Sequence, residues 1–218
     1  MKKLVILGGS GIGRIAASIA SLTGVYMPLG FLNDSLAKGE LVGKYKPLPV
    51  IGKTEDLPKL LKMKDVSVFI AYVGLGNEKD TFEKILNLDI PPERMANLIH
   101  PLAYIPKGVC KIGKGVLFGP YSQISPDVTI GDNCILLSNS FVGHDSVLAR
   151  FAHLAAGAVV GANVYVGKAV HVGTNSVIRE KTHIGDYSLI GCGATVVKNV
   201  DENSVVAGNP AKVLRCKD

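Results

Sequence analysis

The sequence predicts two domains of different fold class, a small α/β domain over residues 1–98 and a parallel β-helix over residues 99–218. The first hundred residues alternate strand and helix signals, which is the order typical of a parallel sheet covered by helices. From Ile112 to Val196 every sixth residue is apolar, fifteen times in succession. The boundary therefore follows the last strand signal of the first pattern.

Strand and helix signals follow one another along the first domain. An apolar run at 4–7 leads into a glycine-rich turn at 8–13 and a helical stretch at 14–22. A second strand ends at Asp34, and residues 35–55 form a polar connection with glycine and proline. The later elements are a short helix at 56–63, a strand at 66–72, a helix to about 88 and a last strand at 96–99. This order predicts a Rossmann-like parallel sheet.

The glycine-rich turn has the spacing Gly-x-x-Gly-x-Gly. It does not match the dinucleotide fingerprint Gly-x-Gly-x-x-Gly, so a full NAD site is not predicted. Its glycines still let a phosphate approach the backbone, and the N-terminus of the following helix attracts an anion. Asp34 follows at the end of the second strand, where a carboxylate can bind a ribose hydroxyl. We predict that this turn binds a nucleotide; a simple packing turn is the alternative.

The six-residue repeat has an inner pattern as well as a period. The residue after the apolar position is glycine in nine of fifteen repeats, and the fourth residue after it is always small or β-branched. Neither a helix period of 3.6 nor a strand period of 2 produces this pattern. It is typical of a hexapeptide-repeat solenoid, in which three short flat faces form each coil. Tryptophan is absent and aromatics make up 6%, as expected for a narrow interior.

Composition narrows the classes of function. The net charge is +6, but no basic stripe with interleaved aromatic residues indicates nucleic-acid binding. A phosphate-bearing ligand and ordinary surface lysines both agree with this charge. The N-terminus lacks an apolar stretch long enough for secretion, and no apolar run is long enough to span a membrane. The four cysteines have no metal-ligand spacing, so we expect a cytoplasmic protein with reduced thiols.

Five segments in this order resemble a known family. They are the glycine-rich turn, ANLIHP at 96–101, SNSFVGHD at 138–145, GCGATVVK at 191–198 and GNPAKV at 208–213. The chain is similar to bacterial sugar acetyltransferases, which pair a nucleotide-binding α/β domain with a left-handed parallel β-helix. The resemblance includes nucleotide-linked amino-sugar N-acetyltransferases of surface-glycan biosynthesis and the sialic acid O-acetyltransferase-like branch. It implies acetyl-CoA as co-substrate, a nucleotide sugar as acceptor and a homotrimer with the acetyl-CoA groove between subunits.

The resemblance assigns the catalytic positions to His144 and Asp145. In the family this histidine is the general base, and its acidic neighbour raises the basicity. The residues agree, because His144 is the third residue of its hexad and does not occupy the inward aliphatic position. An imidazole is well matched to removing a proton from an amine or hydroxyl near neutral pH.

The family's acetyl-CoA positions correspond to His153, Ala162, Thr174 and Cys192. His153 matches a histidine that hydrogen-bonds the thioester end. His171 follows eighteen residues after His153, so the two should stack in neighbouring coils about 4.8 Å apart. A metal site is the alternative use of such histidines, as in γ-type carbonic anhydrases. Those enzymes have two ligand histidines five residues apart, and this chain has no such pair, so no metal is predicted.

The nucleotide-sugar positions of the family map onto three places in the first domain: Ser10, Gly11 and Ile12; Asn33 and Asp34; Gly76 and Asn77. Family members commonly have a histidine at the position of Ile12 and two acids at the positions of Asn33 and Asp34. These departures affect the acceptor site and leave acetyl transfer unaffected. No loop interrupts the repeat between residues 112 and 201, so the first domain is expected to supply the acceptor site.

Three other functions compete with acetyl transfer to a nucleotide sugar. The first is O-acetylation of a free sugar, as in the sialic acid branch. The second is a non-catalytic trimeric scaffold that senses a nucleotide through its first domain. The third is carbonic anhydrase chemistry, which requires a bound metal. Failure to bind acetyl-CoA would favour the scaffold, and stoichiometric metal would favour the carbonic anhydrase.

Overall fold

The computed structural model describes residues 1–72 and 77–217 and separates into two compact units. The first unit contains residues 1–72 and 90–100. The second contains, among the described residues, 77–89 and 101–217. By its contacts, the helix that follows Asn77 therefore belongs to the second unit. The functional division at residues 98 and 99 stays a prediction.

A five-stranded sheet forms the first unit, in the order β3-β4-β2-β1-β5. The strands are β1 Lys2–Leu7, β2 Tyr26–Leu32, β3 Leu41–Val42, β4 Leu48–Gly52 and β5 Val66–Ile70. All neighbouring pairs are parallel except β3 with β4. The predicted parallel α/β sheet is confirmed. Residues 35–55, predicted only as a polar connection, contain β3 and β4.

The helices of the first unit are short, apart from the one that follows the glycine-rich turn. They are α1 Gly11–Thr23 and α2 Leu57–Leu61, with 3₁₀ turns at Thr54–Asp56 and Pro92–Arg94. A two-residue strand, β6 Leu98–Ile99, follows the second of these turns. Helix α1 packs closely on β1 at Gly13, where a Cβ would lie 2.0 Å from the carbonyl oxygen of Gly8. The last glycine of the turn is therefore required for the packing of helix against strand.

The second unit contains the solenoid, in which each predicted apolar position is the second residue of a two-residue strand. The strands are β7 Lys111–Ile112, β8 Leu117–Phe118, β9 Gln123–Ile124, β10 Thr129–Ile130, β11 Ile135–Leu136, β12 Phe141–Val142, β13 Val147–Leu148, β14 His153–Leu154, β15 Val159–Val160, β16 Tyr165–Val166, β17 His171–Val172, β18 Val177–Ile178, β19 His183–Ile184, β20 Leu189–Ile190 and β21 Thr195–Val196. The hexapeptide period is confirmed along the whole repeat.

Strands eighteen residues apart pair in parallel and build three walls of a left-handed β-helix. The first wall is β7-β10-β13-β16-β19, and the third is β9-β12-β15-β18-β21. The second wall is β8-β11-β14-β17-β20, extended by β22 Ser204–Ala207 and the antiparallel β23 Lys212–Cys216. All but one of the fifteen apolar residues are buried, Ile112 being half-buried. The small residue four positions later is also buried in every repeat, so two side chains per hexad fill the core.

A left-handed backbone turn forms the corners of the coils. Every sixth residue from Gly115 to Gly193 has a positive φ, as at Asn139 (+59°) and Asn163 (+57°). Asparagine, aspartate and glycine adopt this conformation at the lowest cost, and they occupy most of these positions. A signal for the corner is therefore present in the sequence three residues after each apolar position from Ile112 to Ile190.

The glycines after the apolar positions are explained by the close approach of successive coils. A Cβ on Gly161 would lie 2.6 Å from the backbone nitrogen of Glu180 in the next coil. We expect Gly161→Ala to lower the free energy of unfolding by about 3 kcal/mol, at the upper end of the usual cost of overpacking. Urea unfolding measures this loss.

Gly193→Ala is the matched control in the same unit, because a Cβ there meets no atom within 4 Å. Its positive φ of +67° costs an alanine about 1 kcal/mol. Equal losses in the two variants would contradict the explanation by coil contact.

Candidate functional site

His144 and Asp145 form an exposed pair at the corner between β12 and β13. The Nδ1 of His144 lies 2.6 Å from the Oδ2 of Asp145, and the two side chains are 59% and 53% exposed. Asp145 is the left-handed corner residue, with a φ of +58°. The corner thus presents both side chains to solvent, while Val142 beside them is fully buried.

The short contact between these two residues decides the tautomer of the histidine. An ionised carboxylate can only accept hydrogen bonds. The Nδ1 of His144 therefore carries the proton and donates a hydrogen bond to Asp145. The lone pair of a neutral imidazole then lies on Nε2, where it can take a proton from a substrate. The carboxylate also stabilises the imidazolium that such a transfer produces. This pair has the chemistry of a general base.

The predicted acetyl-CoA residues fall at two corners and on one wall. Ala162 occupies the position of His144 in the next coil, where the N–H of Asn163 donates to the carbonyl oxygen of His144 at 2.9 Å. Thr174 and Cys192 are likewise neighbours in successive coils at the corner between the second and third walls, and both are exposed. Ala162 therefore lies next to His144, whereas Thr174 and Cys192 lie together at a different corner of the solenoid.

His153 and His171 lie side by side on the second wall, as the eighteen-residue spacing predicts. Their ring centroids are 4.6 Å apart, and their Nδ1 atoms are 2.9 Å apart. Burial, with a smaller effect of His171, lowers the pKa of His153 to about 3. Burial also lowers the pKa of His171. Both imidazoles are therefore neutral near neutral pH.

His144 and His153 do not share one surface of the solenoid. His144 precedes β13 of the first wall, whereas His153 belongs to β14 of the second wall. Strand β13, which belongs to the first wall, therefore lies between the corner of His144 and the corner that precedes β14. A single chain therefore does not bring the predicted base and the predicted thioester-binding histidine together.

A helix that the sequence analysis assigned to the first domain packs on the solenoid near the histidine pair. This helix, α3 Glu78–Leu86, places Phe82 edge-on against Phe151, with ring centroids 5.2 Å apart. The Oε2 of Glu78 lies 2.7 Å from the Nζ of Lys217, and the two side chains are 1% and 11% exposed. Lys217 also donates to the carbonyl oxygen of Tyr187 at 2.6 Å. No local pattern in the sequence indicates these contacts, because they join residues far apart in the chain.

The substrate residues predicted in the first unit gather where β1 and β2 end. Ser10 and Gly11 are exposed at the N-terminus of α1, and Ile12 beside them is half-buried. The side chain of Ser10 makes no capping hydrogen bond, and the first turn of α1 has no acidic residue. The N–H groups of this turn and the dipole of the thirteen-residue helix suit an anion.

Asn33 and Asp34 bind loop residues that the sequence analysis did not identify. The Oδ1 of Asn33 accepts hydrogen bonds from two N–H groups of its own loop. The Oδ1 of Asp34 accepts from the N–H of Thr54 at 2.8 Å, and its Oδ2 from the hydroxyl of Thr54 at 2.9 Å. Thr54 also lies 3.4 Å from the hydroxyl of Tyr72. Thr54 and Tyr72 follow β4 and β5, so their position after a strand is the signal that would have found them.

The last two predicted substrate residues precede α3. Asn77 is exposed and caps α3 without a side-chain hydrogen bond. Gly76 lies outside the described residues.

The described residues contain neither a candidate metal site nor a candidate membrane-spanning helix. No three histidine, cysteine, aspartate or glutamate side chains in 1–72 and 77–217 form a group able to hold a metal ion. Across the same ranges, every helix is too short or too polar to cross a membrane. All four cysteines are free, and Cys134 is buried, which raises its pKa to about 12.

Known proteins match both units. The PglD N-terminal domain family matches residues 3–80, and the bacterial transferase hexapeptide family (six repeats) matches residues 110–144. The acetyltransferase domain of PglB from Neisseria gonorrhoeae FA1090 is 28% identical with a TM-score of 0.83, over 98% of this chain and 100% of that chain. The same domain in complex with acetyl coenzyme A has a TM-score of 0.81, over 98% and 99% of the two chains.

A third similar structure supports the fold alone. PerB from Caulobacter crescentus, in complex with CoA and GDP-perosamine, is 24% identical with a TM-score of 0.83, over 99% of this chain and 98% of that chain. The resemblance predicted from the sequence segments is confirmed by these comparisons. Over nearly its whole length the chain is therefore similar to bacterial sugar acetyltransferases, and its two family matches are the PglD N-terminal domain and the bacterial transferase hexapeptide.

Proposed function

We propose that this protein transfers the acetyl group of acetyl-CoA to an amino group of a nucleotide-activated sugar, with His144 as general base. The observation that supports this role most directly is the 2.6 Å contact between His144 and Asp145. It fixes the tautomer whose Nε2 accepts a proton, at an exposed corner that a substrate can reach. The similarity to the PglB acetyltransferase domain, which binds acetyl-CoA, agrees with the identity of the donor.

The proposed reaction is a direct transfer. The amine of the acceptor attacks the thioester carbonyl, a C–N bond forms, and His144 takes the proton of the amine on Nε2. The C–S bond then breaks, and CoA leaves as a thiol after protonation. An acyl-cysteine is not required: Cys134 is fully buried with a pKa raised to about 12, and the exposed Cys192 lies at another corner.

The separation of the two histidines supports a site shared between subunits. His153 is the proposed hydrogen-bond donor to the thioester, and it lies on a different side of the coil from His144. In the proposed homotrimer of parallel solenoids, the His144 corner of one subunit lies beside the second wall of the next. Acetyl-CoA then binds in each groove, with Ala162, Thr174 and Cys192 offering small side chains and backbone groups to its pantetheine arm.

The first unit is the proposed site of the nucleotide. The free N-terminus of α1 at Ser10 and Gly11 suits the phosphates, and Asp34 is placed at the end of β2, where a carboxylate binds ribose. Asp34 must share its oxygens with Thr54 to do so. The proposed setting is the biosynthesis of bacterial surface glycans in the cytoplasm, where acetyl-CoA and nucleotide sugars are both available.

A screen of amino-sugar nucleotides with acetyl-CoA tests the proposal, with release of free thiol as the measurement. We expect turnover with at least one amino-sugar nucleotide and none with the corresponding N-acetylated sugar. Acetylation of free sugars at a hydroxyl would instead support the sialic acid-like function. Absence of acetyl-CoA binding by calorimetry would overturn the proposal and favour a scaffold.

A further inference from the structure

We propose that His171 is a positioning residue for His153. The protonated Nδ1 of His171 donates a hydrogen bond to the Nδ1 of His153. Because this Nδ1 is then an acceptor, the one ring proton of His153 is kept on Nε2. In that state, Nε2 is a hydrogen-bond donor for the carbonyl oxygen of a bound thioester. The inference rests on the proposed function, because it assigns the use of Nε2 from the acetyl-transfer reaction.

The distance between the two rings permits only one arrangement of protons at a time. The two Nδ1 atoms are 2.9 Å apart, which is a normal hydrogen-bond distance. Each neutral imidazole has a proton on one nitrogen and a lone pair on the other. One Nδ1 therefore donates and the other accepts, and the choice fixes which nitrogen of His153 holds the remaining proton.

Along the wall, the described residues next to the pair offer Nδ1 of His153 no competing polar side chain. In the second wall, His153 pairs in register with Ile135 in the preceding coil, and His171 pairs with Leu189 in the following coil. The two histidines are thus bounded along the wall by aliphatic side chains. The tautomer of His153 is therefore controlled by His171.

The other nitrogen of His153 is prepared for a partner from outside the chain. Among the described residues, two buried side-chain polar atoms have no hydrogen-bond partner, the Oδ1 of Asn133 and the Nε2 of His153. Buried polar atoms in folded proteins are nearly always paired, and an unpaired one costs about 1–3 kcal/mol. Because Nε2 is buried, the thioester can reach it only where the side chains around it give way.

The direction of the hydrogen bond follows from the chemistry of the ligand. A thioester carbonyl oxygen only accepts hydrogen bonds, so Nε2 of His153 must carry a proton to bind it. Its Nδ1 must then accept, and the donor is His171. The charged groups near His171 are Glu78 and Lys217, whose effects on it oppose each other. They bind one another at 2.7 Å, and burial lowers the pKa of His171, so His171 is neutral and can act as a single donor.

Nitrogen-15 NMR of the imidazole rings in the full-length protein tests the proposal without any substrate. We expect His153 of the wild type to show a protonated Nε2 and a bare Nδ1. In His171→Phe the donor is lost, and we expect the two tautomers of His153 to become mixed. In His171→Asn the side-chain amide restores a donor at the place of Nδ1, so the wild-type tautomer should return.

The transfer reaction gives a second measurement. We expect His171→Phe to lower kcat by about tenfold, the equivalent of one hydrogen bond, with the KM of the acceptor unchanged and with rescue by His171→Asn. A proton on Nδ1 of His153 in the wild type, or an unchanged tautomer in His171→Phe, would overturn the proposal. If the tautomers behave as expected but no acceptor is acetylated, the proposed function fails and the pairing stands.

Discussion

Replacement of His144 by alanine should lower kcat/KM by about a hundredfold to ten-thousandfold, which is the usual contribution of a general base. The side chain is 59% exposed, and its ring is hydrogen-bonded to the neighbouring Asp145. Its loss should therefore change the free energy of unfolding by less than about 0.5 kcal/mol. Steady-state kinetics with the acceptor found in the screen, together with urea unfolding, measures both effects.

Two variants make this result specific. Asp145→Asn keeps a side chain that tolerates the left-handed corner but loses the charge that stabilises the imidazolium, so we expect a smaller loss of kcat. His183→Ala is the matched control, because His183 is an exposed histidine on the same solenoid and is expected to leave turnover near the wild-type value. Turnover retained by His144→Ala would remove the base assignment.

The ion pair between Glu78 and Lys217 should have the largest effect on stability. Both side chains are nearly inaccessible, with exposures of 1% and 11%. Removal of one member of a buried pair leaves a buried charge without its counter-charge, which costs about 3–5 kcal/mol. We expect this loss in Lys217→Met and a similar loss in Glu78→Gln, measured by urea unfolding.

The double variant and an exposed pair provide the controls. Replacing both residues together removes both charges, so the double variant should lose less than the sum of the single variants. The pair of Lys168 and Asp186 joins neighbouring coils at 3.3 Å but is partly exposed, and Lys168→Met should leave stability nearly unchanged. Additive losses at Glu78 and Lys217 would show that the two side chains act separately.

The solenoid was predictable because a strict period constrains every coil alike. The apolar residue of each hexad, such as Val142 or Leu154, faces inward. One misplaced residue would therefore disturb the coils above and below it. His144 and Asp145 were assigned through the resemblance to the family, and the residue pattern agrees because His144 does not occupy the inward aliphatic position of its hexad. The stacking of His171 on His153 followed from the coil length alone.

Other features were not predictable because they depend on contacts between distant residues. The contacts of Glu78 with Lys217 and of Phe82 with Phe151 leave no local pattern in the sequence. Strand β4 was not predicted because it contains Pro49, and proline usually indicates a turn. Proline is tolerated near the edge of a sheet, and the neighbour of β4 on its outer side is the two-residue strand β3. Thr54 was overlooked because its partner Asp34 comes twenty residues earlier.

The constant length of the coil also limits how this protein can change during evolution. A deletion of six residues between His144 and His153 would rotate the second histidine back by one wall and out of the groove that it is proposed to share. A deletion of eighteen residues would keep every wall in place and move the side chains by one coil along the axis. Length variation in the solenoid is therefore expected in steps of whole coils.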